Sequence, residues 1–289
     1  MQPGEFVPPM LAITARQPFS GSDWWYETKW DGYRAMISSG RDFHIFSRRG
    51  QDLTLRYPGL AAIRHQLPDS IVLDAELVGW IDGKPGFVEL QERRAERYVL
   101  VAFDCLYARG RWLLQDPLQK RREELRRQVQ SSGVLVVSDG VRAQGEYLLA
   151  AAKEAGLEGV MAKKLDSPYC PGQRSANWQK FLVQYTSWVW VTDAVRAKDG
   201  SWYWTIEEVQ DKVLKPVGKM RAPQGWKADR VSEPKHLGQE PFLIEVAYRG
   251  RTREGRFRHA QFRQWPTVHE SRWDADSPSQ SDPLSPTRN

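Results

Sequence analysis

The hexapeptide Lys29-Trp30-Asp31-Gly32-Tyr33-Arg34 decides how this chain is read. Trp24 to Lys29 before it and Tyr33 to Ser38 after it are strand-like runs, so Asp31-Gly32 reads as the turn between two strands. An amine two residues before such a turn, with a guanidinium closing it, suits attack on a nucleotide phosphate: Lys29 supplies the nucleophile, while the turn and Arg34 hold sugar and phosphate. A lysine acts this way only when its pKa is lowered or a neighbour takes its proton. An ordinary hairpin junction has the same look, and the rest of the chain separates the two readings.

Outward from the hexapeptide, β-branched and aromatic runs bounded by Gly, Asp or Pro predict strands at Phe43 to Ser47, Ile71 to Gly79, Tyr98 to Tyr107, Val134 to Val137, Gly159 to Lys164 and Trp178 to Gln184. Helices are expected at Pro117 to Gln130 and Gly145 to Ala155. Strands outnumber helices and the turns are short, which predicts an α+β domain on antiparallel sheets, ending near Tyr185. Beyond it, Val189 to Ala197, Trp202 to Glu208 and Phe242 to Tyr248 alternate like strands, with a Gly/Pro-rich segment, Lys215 to Gly225, between them. That pattern predicts a small all-β barrel. The expected division is residues 1–185, residues 186–267, and a Ser/Pro/Asp-rich tail, residues 268–289, read as disordered.

Composition sets broader bounds. With 40% hydrophobic and 27% charged residues the chain reads as soluble and globular, and no apolar run is long enough to span a bilayer. The net charge of +6 favours a polyanionic partner. Two cysteines, Cys105 and Cys170, without a CxxC pair or a Cys/His metal-ligand cluster, favour a reducing, cytoplasmic setting over a disulfide framework.

Five further stretches carry chemistry. Ser47-Arg48-Arg49-Gly50 ends a strand with guanidiniums suited to phosphate. Leu73 to Val78 puts Asp74 and Glu76 on one strand face. Phe103-Asp104 closes an apolar strand, and Glu158-Gly159-Val160-Met161-Ala162-Lys163, if regular, puts Glu158, Val160 and Ala162 on one face and Met161 and Lys163 on the other. Trp178-Gln179-Lys180 returns a lysine late in the domain. Each alone has a plain structural reading. Together they supply a nucleophilic amine, carboxylates for a hard cation, an aromatic and a thioether to sandwich a base, and cations for phosphates.

In kind and order these stretches resemble the motifs of the ATP-dependent DNA ligase branch of the covalent nucleotidyltransferases, most of all the ligase modules of bacterial end-joining enzymes. The resemblance runs from Pro9-Met10-Leu11-Ala12 to about Phe262. It implies a nucleotidyltransferase domain followed by an OB-fold barrel. Lys29 is then the adenylated nucleophile, with Asp31 and Arg34 beside it, Arg48 and Glu76 in the next two motifs, and Phe103 and Met161 on the two faces of adenine. Glu27 reads the adenine amino group, Lys163 and Lys180 are motif cations, Glu158 and Glu76 are metal-associated, and Arg258 in Gly255-Arg256-Phe257-Arg258-His259 stands for the last motif. The segment Leu114, Pro117-Leu118, Arg121-Arg122, Leu125 also has a ligase-like look. Two departures stand out: Leu182 replaces the second lysine of Lys-x-Lys, and Ala260 or His259 falls where relatives carry proline.

The implied activity is sealing of 5′-phosphate/3′-hydroxyl nicks in duplex DNA with ATP and Mg²⁺ (or Mn²⁺), through a lysyl-AMP intermediate, in repair or end joining. The expected partners are nicked DNA and end-joining or repair proteins, the expected form a monomer, and the place the cytoplasm, at the nucleoid in a bacterium. The rival readings are an RNA ligase, a GTP-using capping-type transferase and a non-catalytic basic nucleic-acid-binding module.

Overall fold

The computed structural model describes residues 2–57, 59–226, 241–252 and 254–266. The tail read as disordered therefore lies outside the described residues. The chain divides into two compact units, Met1–Val183 and Gln184–Asn289.

The first unit holds two sheets. One joins Leu11–Thr14, Arg174–Leu182, Gly159–Lys164, Trp24–Thr28 and Gly140–Arg142 in that spatial order. The other runs Phe43–Ser47, Tyr33–Ser39, Ile71–Ile81, Arg97–Ala108, Arg111–Trp112, with Lys84–Pro85 and Leu135–Val137 attached at its middle strands. Pairing is antiparallel except where Leu11–Thr14 meets Arg174–Leu182 and where Arg97–Ala108 meets Leu135–Val137. Two helices, Leu118–Gln128 and Gly145–Glu154, fall within the stretches expected.

Strand alternation divides the core. Ala35, Ile37, Leu73, Leu77, Leu100 and Ala102 pack on one side of the second sheet, with Leu125 of the first helix. Met36, Val72 and Phe103 point the other way, to Met10, Tyr169, Met161 and Trp178. Trp178 and Met161 belong to the first sheet, so this second cluster joins the two sheets. The Asp-Gly turn is needed for backbone approach rather than for a hairpin. A Cβ on Gly32 would meet the Leu77 carbonyl oxygen at 2.2 Å.

The second unit is a five-stranded antiparallel sheet, ordered Val213–Arg221, Trp202–Gln210, Tyr185–Arg196, Phe242–Tyr248, Gln261–Gln264. A hydrogen bond from Phe257 N to Val217 O (2.7 Å) draws the strip before the last strand to the opposite edge. The Gly/Pro-rich reading of Lys215 to Gly225 is corrected here, because Val213–Arg221 is a strand. Pro216 and Gly218 are tolerated because this is an edge strand whose register shifts opposite Ile206 and Glu207. Among the described residues no helix is long and apolar enough to cross a membrane.

Candidate functional site

A cavity of about 620 Å³ opens in the first unit, a volume suited to a nucleotide-sized ligand. Its wall includes Glu27, Lys29, Arg34, Arg48, Glu76, Phe103, Met161, Lys163 and Lys180. Nine of the residues singled out in the sequence thus meet on one surface. Arg49, Arg56 and Arg174 also line it, giving eight basic side chains against the two carboxylates Glu27 and Glu76. That balance favours an anionic ligand.

Lys29 leaves the end of the Trp24–Thr28 strand, where its backbone N–H donates to Gly159 O (2.9 Å). Its ammonium makes an ion pair with Glu158. The pair is partly solvated, at 21% and 23% exposure. Simple alternation from Val160 would have turned Glu158 away from Met161 and Lys163. The regular strand begins only at Gly159, whose φ of 153° and contact with Phe181 O admit no side chain, and Glu158 meets Lys29 ahead of it.

The two carboxylates read onto one strand face have different fates. Asp74 is fully buried and accepts from Arg34 Nε (2.5 Å), Arg34 Nη2 (2.6 Å) and Tyr169 Oη (2.6 Å), so it is consumed as the anchor of Arg34. Burial works to lower the Arg34 guanidinium, but the charge and hydrogen bonds of Asp74 outweigh it and raise the group above its ordinary value. Glu76 alone of the two faces the cavity. Burial pushes its carboxyl up to about 7, against the opposing pull of Arg34 and Lys29.

Phe103, Met161, Glu27 and Lys163 share the cavity wall. Glu27 is 1% exposed and accepts at Oε2 from Arg122 Nη1 (3.0 Å) and Trp25 Nε1 (3.2 Å), while Oε1 pairs with Lys163. Lys163 is buried beneath aromatic faces, 4.0 Å from the Phe103 centroid and 4.3 Å from that of Trp178. Burial lowers its ammonium from the ordinary value, and Glu27 offsets part of that.

Asp31 sits half-buried in the turn and does not line the cavity, and Arg258 belongs to the second unit. For a hard cation the donors are Glu76 on the wall and Glu158 at Lys29. Among the described residues no group of three His, Cys, Asp or Glu forms. Two carboxylates still suit Mg²⁺, which keeps several waters and shares its shell with substrate phosphates. Sequence reasoning passed over Arg174, Tyr169 and any role for Arg122. Only the last left a signal, as part of the Arg121-Arg122 pair in the ligase-like segment that also carries Leu118 and Leu125.

Comparison with known proteins covers the same stretch of chain. Residues 9–181 match the family model of the ATP-dependent DNA ligase domain. The multifunctional non-homologous end joining protein LigD of Mycolicibacterium smegmatis is 30% identical over 91% of this chain and 38% of its own length. LigD of Mycobacterium bovis is 38% identical over 60% of the chain and 23% of its length. The chain thus spans well under half of these relatives. The prophage-derived DNA ligase-like protein LigB of Bacillus subtilis is 27% identical and is matched over 99% of its length. Among solved structures, a mycobacterial DNA ligase D complexed with ATP and MES is similar at a TM-score of 0.59, with 29% identity over 93% of this chain and 98% of that one.

Proposed function

The chain belongs to the ATP-dependent DNA ligase family, and from that premise we propose that it seals 5′-phosphate/3′-hydroxyl nicks in duplex DNA through a lysyl-AMP on Lys29. The carrying observation is the position of Lys29, on the wall of a strongly basic cavity that also presents Phe103, Met161 and Glu27. Lys29 Nζ attacks the α-phosphate of ATP, an N–P bond forms, and the bond to pyrophosphate breaks. Glu158, already hydrogen-bonded to Nζ, takes the ammonium proton whose loss frees the nitrogen lone pair, and the second proton shed as the N–P bond forms passes to solvent. The AMP passes to a 5′-phosphate, freeing the lysine, and the 3′-hydroxyl then displaces AMP.

Most of the rate is assigned to positioning and charge. Phe103 and Met161 enclose the base, Glu27 accepts from its amino group, and Arg34, held rigid by Asp74, faces sugar and phosphate. Arg48, Lys163 and Lys180 add positive charge, and Asp31 supports the turn that presents Lys29. A Mg²⁺ ion held by Glu158 and Glu76 would neutralise phosphate charge. Leu182 in place of a lysine leaves Lys180, with Arg174 on the same strand, as the cations there.

The second unit is assigned as an OB-fold that grips duplex DNA, with Arg258 acting in adenylation. End joining or repair is the proposed setting, in an intracellular, nucleoid-associated monomer working with other repair proteins. Similarity to LigD supports the setting. The test is incubation with ATP and Mg²⁺, mass mapping of AMP to Lys29, and sealing of a nicked duplex. GTP and an RNA-containing nick are run beside it. Transfer of GMP, or sealing of the RNA nick alone, would replace this reading with a rival.

A further inference from the structure

We infer that Arg122, which lies outside the cavity wall, is a positioning residue that fixes Glu27 and Phe103 together and so gives the site its preference for a base bearing a 6-amino group. This deepens the proposed function and rests on it.

The residues proposed to hold the base come from two separate sheets. Glu27 and Met161 come from the first, Phe103 from the second. Something must hold the reading carboxylate in register with the ring. Arg122, on the Leu118–Gln128 helix, does so with one guanidinium. Its Nη1 donates to Glu27 Oε2 (3.0 Å) and reaches Phe103 O (3.5 Å), while Nη2 donates to Ser138 O (2.9 Å). The group lies over the Trp25 ring, 4.2 Å from its centroid, and is 4% exposed. A planar fork can bridge these acceptors at once; an ammonium cannot.

The consequence is chemical. With Lys163 on Oε1, and Arg122 and Trp25 on Oε2, the Glu27 carboxylate is held from both ends and presents only acceptor lone pairs. An amino group at the base's 6-position satisfies it. A carbonyl there opposes it, and hydrogen leaves it unmet. Adjacent Arg121 supplies the contrast. It is equally buried but bonds Asp104 and the carbonyls of Asp116 and Ser167, none of which lines the cavity. Arg121 anchors the helix and Arg122 the base.

The experiment compares kcat/KM for lysyl-adenylate formation with ATP and with purine riboside triphosphate, which lacks the 6-amino group. The proteins are wild type, Arg122→Lys, Arg122→Gln and Arg121→Lys, each with its melting temperature. The wild type should prefer ATP. Both Arg122 variants should lose about tenfold or more of that preference, with KM for ATP rising more than kcat falls. Arg121→Lys should lower the melting temperature and keep the preference. Should Arg122→Gln fail to fold, Arg122→Lys decides, since it keeps the charge and most of the stem. An unchanged preference in folded Arg122 variants overturns the inference, as does an equal loss in Arg121→Lys. A wild type that forms the adenylate equally well from both nucleotides overturns it too, leaving the ligase reading intact. A wild type that forms no adenylate from ATP removes the proposed function itself.

Discussion

Removing Asp74 should cost far more than removing any exposed carboxylate, because it strands a buried guanidinium. Arg34 is 17% exposed and Asp74 fully buried, and the two share a two-pronged contact at 2.5 and 2.6 Å. In Asp74→Ala, Arg34 keeps the Met10 carbonyl (3.0 Å), the faces of Phe103 and Trp178 and the more distant charge of Glu76, but loses its two-pronged partner. Breaking a buried pair from one side typically costs about 3–5 kcal/mol. For a folding unit of this size that lowers the melting temperature by roughly 6–20 °C. Tyr169→Phe is the milder companion. It removes a 2.6 Å hydrogen bond to Asp74 and leaves the Met10 N–H without its acceptor, at a cost of about 1–3 kcal/mol. The assay is urea unfolding followed by tryptophan fluorescence, with Arg34→Met and Arg34→Met/Asp74→Ala completing a double-mutant cycle. Because the pair is in direct contact, the coupling should exceed about 1 kcal/mol. Near-additive single costs would show that Arg34 and Asp74 do not depend on each other, and the account of Asp74 as an anchor would fall.

Three further outcomes are expected. Lys29→Ala should form no AMP adduct and seal no nick from ATP; an adduct mapping to another lysine would move the nucleophile. Phe103→Leu should raise the apparent KM for ATP by about 2- to 10-fold, the worth of one aromatic stack, with a smaller effect at saturating ATP; an unchanged KM would remove Phe103 from the base pocket. Glu76 binds its proton more tightly folded, at about 7, than its ordinary 4.5. Its contribution is therefore complete below 4.5 and lost as pH rises through 7. Glu76→Gln should accordingly gain on the parent by up to about 2 kcal/mol between pH ~5 and ~8, after allowing for partial solvation. A stability difference that is flat with pH would show that burial does not perturb this carboxyl.

What could be read in the chain was what is local. The strands expected at Tyr33 to Ser38 and Ile71 to Gly79 are written in residue type and lie within Tyr33–Ser39 and Ile71–Ile81. The wall residues carry their chemistry in short words, so Lys29, Phe103, Met161 and Lys180 could be named before their meeting was seen. Charged groups whose partners are distant could not be placed this way. Arg121-Arg122 stood out only as part of a ligase-like segment, and nothing adjacent in the chain marks either arginine as buried, which both are. Asp104, 17 residues away, accepts from Arg121, and Glu27, 95 residues away, accepts from Arg122.

The pair Asp74 and Glu76 makes the same point at one strand face. Periodicity gives them one direction and one charge, and nothing nearby distinguishes them. The difference comes from Tyr169, 95 residues downstream of Asp74, and from the Arg34 head group, which together saturate one carboxylate and leave its neighbour facing the cavity. Long-range hydrogen bonding thus decides which acid is structural and which is open to a ligand. Arg34 is affected in turn: with Nε and one Nη2 contact spent on Asp74, its remaining N–H groups have a set direction. The same long-range capture that the sequence reading could not foresee for Asp74 is what fixes the Arg34 head group on the cavity wall.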